Sequence, residues 1–116
     1  MQKLLFIINA APYGNETFFS GLRLALQIQE QYQAEIKLFL MSDAVVAGLA
    51  KQNPTESYHA QQMLEILTAQ GAQVKLCKTC VNARGISTLP LAEGVEIGTL
   101  IELADWTMVA DKVLNF

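Results

Sequence analysis

Leu4-Leu5-Phe6-Ile7-Ile8 decides the fold, because five successive apolar residues leave the segment no polar face. A strand of this kind is covered on both sides, the condition of a central strand in a parallel sheet. Working outward, Ala10-Ala11-Pro12-Tyr13-Gly14-Asn15 reads as a loop by its Pro and Gly. A helix is predicted from about Thr17 to Gln33, burying Phe18, Phe19, Leu22, Ala25, Leu26 and Ile28. Glu35–Leu40 is a second strand, and Ser42 or Asp43 caps a short helix over Ala44–Ala50. After the polar loop Lys51–Ser57, a helix over Tyr58–Gln70 turns Met63, Ile66 and Leu67 inward and ends at Gly71.

Gln73–Cys77 alternates as a half-buried strand does. A stretch containing Pro90 follows, and Gly94–Gly98 reads as a short strand. Thr99 to Ala110 is then a helix with Leu100, Leu103, Ala104, Thr107 and Met108 inward, and Asp111–Phe116 a final strand. Strands alternate with helices throughout, which predicts an α/β domain with a mainly parallel sheet and helices on both faces. No repeat or linker interrupts the 116 residues, so a single domain over 1–116 is expected.

Composition bounds the function. Charged residues are 16% of the chain against roughly 25% in an average soluble domain. Charge too sparse to coat the surface favours self-association, since subunit interfaces are depleted of charge. The net charge is −3 and the eight Lys and Arg are scattered, which argues against nucleic acid as a partner. Met1–Ile8 has the charged start of a signal peptide but an apolar run of only five residues, and reads as a buried strand. No segment approaches the ~18 apolar residues of a membrane span. A cytoplasmic location without membrane attachment is the expectation.

Both cysteines lie in Cys77-Lys78-Thr79-Cys80, directly after the third strand. In an open α/β sheet, ligands and reactive groups gather beyond the carboxyl ends of the strands. If the strands are parallel, the loops beginning near Asn9, Met41 and Cys77 share one edge. Tyr13, Ser42, Asp43 and Arg84 are then candidates to surround the thiol. Lys78 and Arg84 supply positive charge, and a helical turn opening after Cys77 would aim main-chain N–H groups at a sulfur anion. Burial against the strand acts the other way. The competing reading makes Cys77 a small apolar core residue, as free cysteine commonly is.

Cys80 stands at the spacing from which one thiol can attack a mixed disulfide or persulfide on another. The position after the third strand of a wound sheet is not that of a thioredoxin-like pair. A zinc site lacks ligands within one chain, since only His59 could join two sulfurs; four sulfurs supplied by two chains across an interface are the minor alternative, and no metal is expected. His59 has no acidic partner at triad spacing and reads as a solvated helix residue. No glycine-rich fingerprint or phosphate-loop lysine follows the first strand, and no cofactor is expected.

Several segments together resemble the DsrE/DsrF-like family of small sulfur-relay proteins. They are Ala11–Gly14, Leu38–Ala44, Gln62–Ala69, Lys75–Cys80, Arg84-Gly85-Ile86-Ser87-Thr88-Leu89-Pro90 and Ala110–Phe116, which span essentially the whole chain. The resemblance implies a three-layer α/β/α sandwich, flavodoxin-like, with about five mainly parallel strands. It implies hexameric assembly, of one or several chain types. Relay members carry a persulfide on a cysteine eight residues before the Gly of an Arg-Gly pair, which here is Cys77 counted back from Gly85. They often have small apolar residues after that cysteine, whereas this chain has Lys78, Thr79 and Cys80, so a second thiol stands ready to discharge a persulfide.

The leading expectation is therefore a sulfur carrier or transferase that exchanges sulfur with donor and acceptor proteins. A non-catalytic module holding a small anion, and a dithiol redox sensor using Cys77 and Cys80, are the alternatives.

Overall fold

A computed structural model describes all 116 residues, in the order β1 (Gln2–Ile8), α1 (Thr17–Gln31), β2 (Ala34–Leu40), a 3₁₀ segment (Ser42–Gly48), α2 (Ala60–Ala69), β3 (Gln73–Cys77), α3 (Lys78–Ala83), β4 (Val95–Gly98), α4 (Leu100–Val109) and β5 (Lys112–Asn115). The five strands form one wholly parallel sheet in the order β4-β3-β2-β1-β5. The first three connections step in one direction and the last returns across the sheet to the far side of β1. Right-handed crossovers therefore put α1, the 3₁₀ segment and α2 on one face and α4 on the other. The result is the three-layer, flavodoxin-like sandwich expected.

Register fixes which side chains meet which layer. Ile8 pairs with Leu40 and Leu40 with Leu76, and these buried residues face α1 and the 3₁₀ segment. Phe39 and Lys75 are paired on the opposite face, beneath α4. There Trp106 meets Phe39 edge-on at 6.0 Å, with Lys37 and Lys75 within reach of its ring at 5.1 and 5.3 Å. Lys75 also binds Glu102, the acidic member of a capping box with Thr99 that starts α4. One core of 26 buried residues runs through both layers and contains no charged side chain.

Element ends follow local chemistry. Asn15 Oδ1 accepts from the Thr17 N–H at 3.0 Å and starts α1, which ends at Gln31, two residues before the predicted end. The helix expected over Ala44–Ala50 is instead the 3₁₀ segment Ser42–Gly48, preceded by Met41 and without a side-chain cap. Gly48 sits so close to β3 that a Cβ there would lie 2.6 Å from Leu76 Cδ2. His59 is a cap rather than a solvated residue: its Nδ1 accepts from the Gln62 N–H at 3.3 Å.

Two helix faces differ from expectation. In α2 the buried stripe is Ala60, Leu64 and Leu67, leaving Ile66 about half exposed. In α4 only Leu103 and Trp106 are buried. Leu100, Ile101 and Met108 point to solvent, at 69%, 75% and 84% exposed.

Candidate functional site

Because all strands run parallel, β1, β2 and β3 end at one edge at Ile8, Leu40 and Cys77. Cys77 is the last residue of β3 and the cap of α3, so the chain turns from extended to helical at its sulfur. Thr79 and Cys80 lie in the first turn of α3, directly after Cys77. Both cysteines are free; Cys77 is 6% exposed and Cys80 more open.

Burial pushes the Cys77 thiol above the ordinary cysteine range. The N–H groups of Cys80 and Thr79 oppose that rise, while the Cys80 side chain adds to it. The net direction is upward, toward the neutral thiol.

Ser42 reaches the dithiol through its main chain. Its N–H donates to Cys80 Sγ at 3.2 Å. Ser42 holds this pose with φ at +54°, a left-handed conformation costing a non-glycine residue on the order of 1 kcal/mol. Asp43, next in sequence, accepts from Arg84 Nη2 at 2.8 Å, and Arg84 Nη1 donates to the Cys80 carbonyl at 3.2 Å. The 3₁₀ segment and α3 are thus joined by a main-chain bond to sulfur and by an ion pair.

The remaining predicted residues fall around this centre unequally. Arg84 has a carboxylate and a carbonyl as partners, so its charge is directed at Asp43 and the end of α3 rather than at a sulfur. Lys78 is exposed and has no acidic partner. Gly85 ends α3 with φ at +66°, a conformation glycine adopts without strain. Tyr13 bonds elsewhere: its hydroxyl donates to Gln52 Oε1 at 3.2 Å and accepts from the Ala60 N–H at 2.9 Å. Gln52, which sequence reasoning passed over, ties the same loop to the carbonyls of Ala47 and Leu49 at 2.7 Å each.

No group of three or more His, Cys, Asp or Glu side chains is arranged to hold a metal ion. The largest concavity, about 510 Å³, lies at the opposite, amino edge of the sheet between Leu4, Leu24, Ile28 and Leu114. It includes none of the residues around Cys77.

These features define a doubly wound α/β domain with a dithiol at the carboxyl edge of its third strand. The chain belongs to the DsrE/DsrF-like family, which it matches over residues 2–116. It is 63% identical to the protein YchN of Escherichia coli across the full length of both chains. It is 40% identical to the uncharacterised protein MK0008 of Methanopyrus kandleri, over 95% of this chain and 90% of that one. The crystal structure of Escherichia coli YchN superposes with a TM-score of 0.97 over the whole of both chains. MTH1491 from Methanobacterium thermoautotrophicum, at 14% identity and a TM-score of 0.76 over both full chains, shares the fold.

Proposed function

We propose that this protein is a sulfur carrier of the sulfur-relay type, taking a persulfide onto Cys77 and passing it to a partner protein in the cytoplasm. The observation that carries this reading is the setting of Cys77: a thiol that ends β3 at the carboxyl edge and caps the start of α3. Family membership supports it, since Cys77 stands eight residues before Gly85 of the Arg84-Gly85 pair.

In this reading Cys77 loses its proton to solvent and its thiolate attacks the outer sulfur of a donor persulfide. The donor's S–S bond breaks, the donor leaves as a thiolate, and Cys77 gains one sulfur. The N–H groups of Thr79 and Cys80 stabilise negative charge at the receiving sulfur. Beside this site, the Ser42 N–H on Cys80 and the Asp43–Arg84 pair hold the 3₁₀ segment against α3. Transfer onward repeats the step with an acceptor thiolate as the nucleophile.

The working unit in this reading is a homo-oligomer, a hexamer by the family resemblance. The apolar outer stripe of α4, with Leu100, Ile101 and Met108 exposed, supports assembly through that helix.

The test is intact mass after incubation with a cysteine desulfurase and cysteine. A cyanide-labile gain of one sulfur, absent in Cys77→Ala, is expected; equal loading of that variant would refute the carrier.

A further inference from the structure

We propose that Cys80 is a resolving thiol that discharges a persulfide on Cys77 within the same chain, releasing hydrosulfide and leaving a Cys77–Cys80 disulfide. The proposal rests on the reading of Cys77 as the sulfur acceptor and adds a second activity, sulfide release, to the same site.

Accessibility is the first argument. Cys77 is only 6% exposed, which restricts approach by an acceptor protein's thiol, whereas Cys80 lies three residues on, within the first turn of α3. An intramolecular nucleophile held in place competes with one that must diffuse in and dock.

Charge placement is the second. The Ser42 N–H is directed at Cys80 Sγ, a contact that strengthens as that sulfur takes on negative charge. The left-handed pose of Ser42 directs this N–H, and the Asp43–Arg84 pair with the Arg84 bond to the Cys80 carbonyl holds the two segments together.

The step balances without an outside oxidant. Cys80 gives its proton to solvent, and its thiolate attacks the inner sulfur, Sγ of Cys77, in Cys77–S–S–H. The bond between Cys77 Sγ and the outer sulfur breaks, and the outer sulfur leaves as HS⁻ with the electron pair. The transferred sulfur is reduced to sulfide while the two cysteine sulfurs are oxidised to a disulfide. Two equivalents of a low-molecular-weight thiol reductant then restore the dithiol.

The experiment loads the full chain with inorganic polysulfide under anaerobic, thiol-free conditions, desalts it, and follows free sulfide and intact mass together. Wild-type protein is expected to lose its added sulfur at least about tenfold faster than Cys80→Ser, which accumulates the persulfide on Cys77. The wild-type product should be two hydrogens lighter than the reduced chain. Trypsin should release Leu76–Lys78 and Thr79–Arg84 joined by a disulfide, in an amount equal to the sulfide, a readout independent of any variant. If wild type and Cys80→Ser both load Cys77 and hold sulfur equally long, the discharge is refuted and the carrier stands. A persulfide found on Cys80 in place of the disulfide also refutes it. If Cys77 loads in neither protein, both readings fall.

Discussion

Arg84 and Asp43 meet at 2.8 Å across 41 positions of sequence, and through them the segment after β2 is fastened to the end of α3. The Asp43 carboxylate is 67% exposed, so the pair adds little to global stability, at most about 1 kcal/mol. Its consequence is local. In Arg84→Ala the Cys80 carbonyl and Asp43 both lose their partner, and the Ser42 N–H is no longer held against Cys80 Sγ. Alkylation of Cys80 by iodoacetamide should accelerate several-fold while the melting temperature falls by no more than a few degrees. An unchanged alkylation rate would show that the pair does not position the sulfur.

Cys77 should respond to pH in a defined direction. Burial raises its pKa in the folded chain, so the native state holds this proton more tightly than the unfolded state does. Above the unfolded cysteine value the native state binds more protons, so the slope of stability with pH is negative there. The stabilising contribution is complete below the unfolded pKa and is lost as pH rises through the folded one. The melting temperature of wild type should therefore fall more steeply on the alkaline side than that of Cys77→Ala. Alkylation of Cys77 should likewise keep rising with pH beyond the inflection of a cysteine peptide. Parallel melting curves, or an inflection below the peptide's, would contradict the burial argument.

Much of this architecture was legible in the chain because the strong signals were local. The apolar run Leu4–Ile8 marked a strand covered on both faces, and β3 falls on the predicted residues Gln73–Cys77. The helical turn after Cys77 was likewise readable. Helix phase was less so. Leu100-Ile101-Glu102-Leu103-Ala104-Asp105-Trp106-Thr107-Met108-Val109 offers two apolar stripes, and local pattern does not rank them. The tertiary partners of Trp106, Phe39 beneath it and Lys37 and Lys75 beside it, select the stripe with Leu103. At the dithiol, the cysteines and the Arg84-Gly85 pair were visible as residue types. The Ser42 N–H on Cys80 was not, because a left-handed serine has no residue-type signal and its partner lies 38 positions away.

The rejected stripe of α4 yields a prediction of its own. Leu100, Ile101 and Met108 are each more than two-thirds exposed, in a chain whose charged content is only 16%. Burying such side chains at an interface is worth roughly 1.5–3 kcal/mol each, enough to hold subunits together when several act at once. A carboxylate placed among them stays solvated in the monomer and is desolvated in an assembly. Ile101→Glu and Met108→Asp should therefore shift the mass measured by light scattering toward the single chain, with little change in far-ultraviolet circular dichroism. Retention of the wild-type mass in both variants would remove α4 from the interface.

Gly48 provides the strictest steric test. The 3₁₀ segment ends against β3, and a Cβ at position 48 would lie 2.6 and 2.7 Å from the two methyl carbons of Leu76. Leu76 is fully buried, so its side chain has no open space to swing into. Gly48→Ala must then either displace Leu76 or lift the segment off the sheet, at a cost of about 1–3 kcal/mol typical of overpacking. Lifting the segment would also carry Ser42 away from Cys80. Chemical denaturation should show the loss of stability, and Leu76→Val made in the same chain should recover part of it by vacating the contested volume. In a double-mutant cycle that recovery appears as a favourable coupling between the two positions. Simple addition of the two single losses would mean that the clash is relieved elsewhere, and that Gly48 does not set the height of the segment above β3.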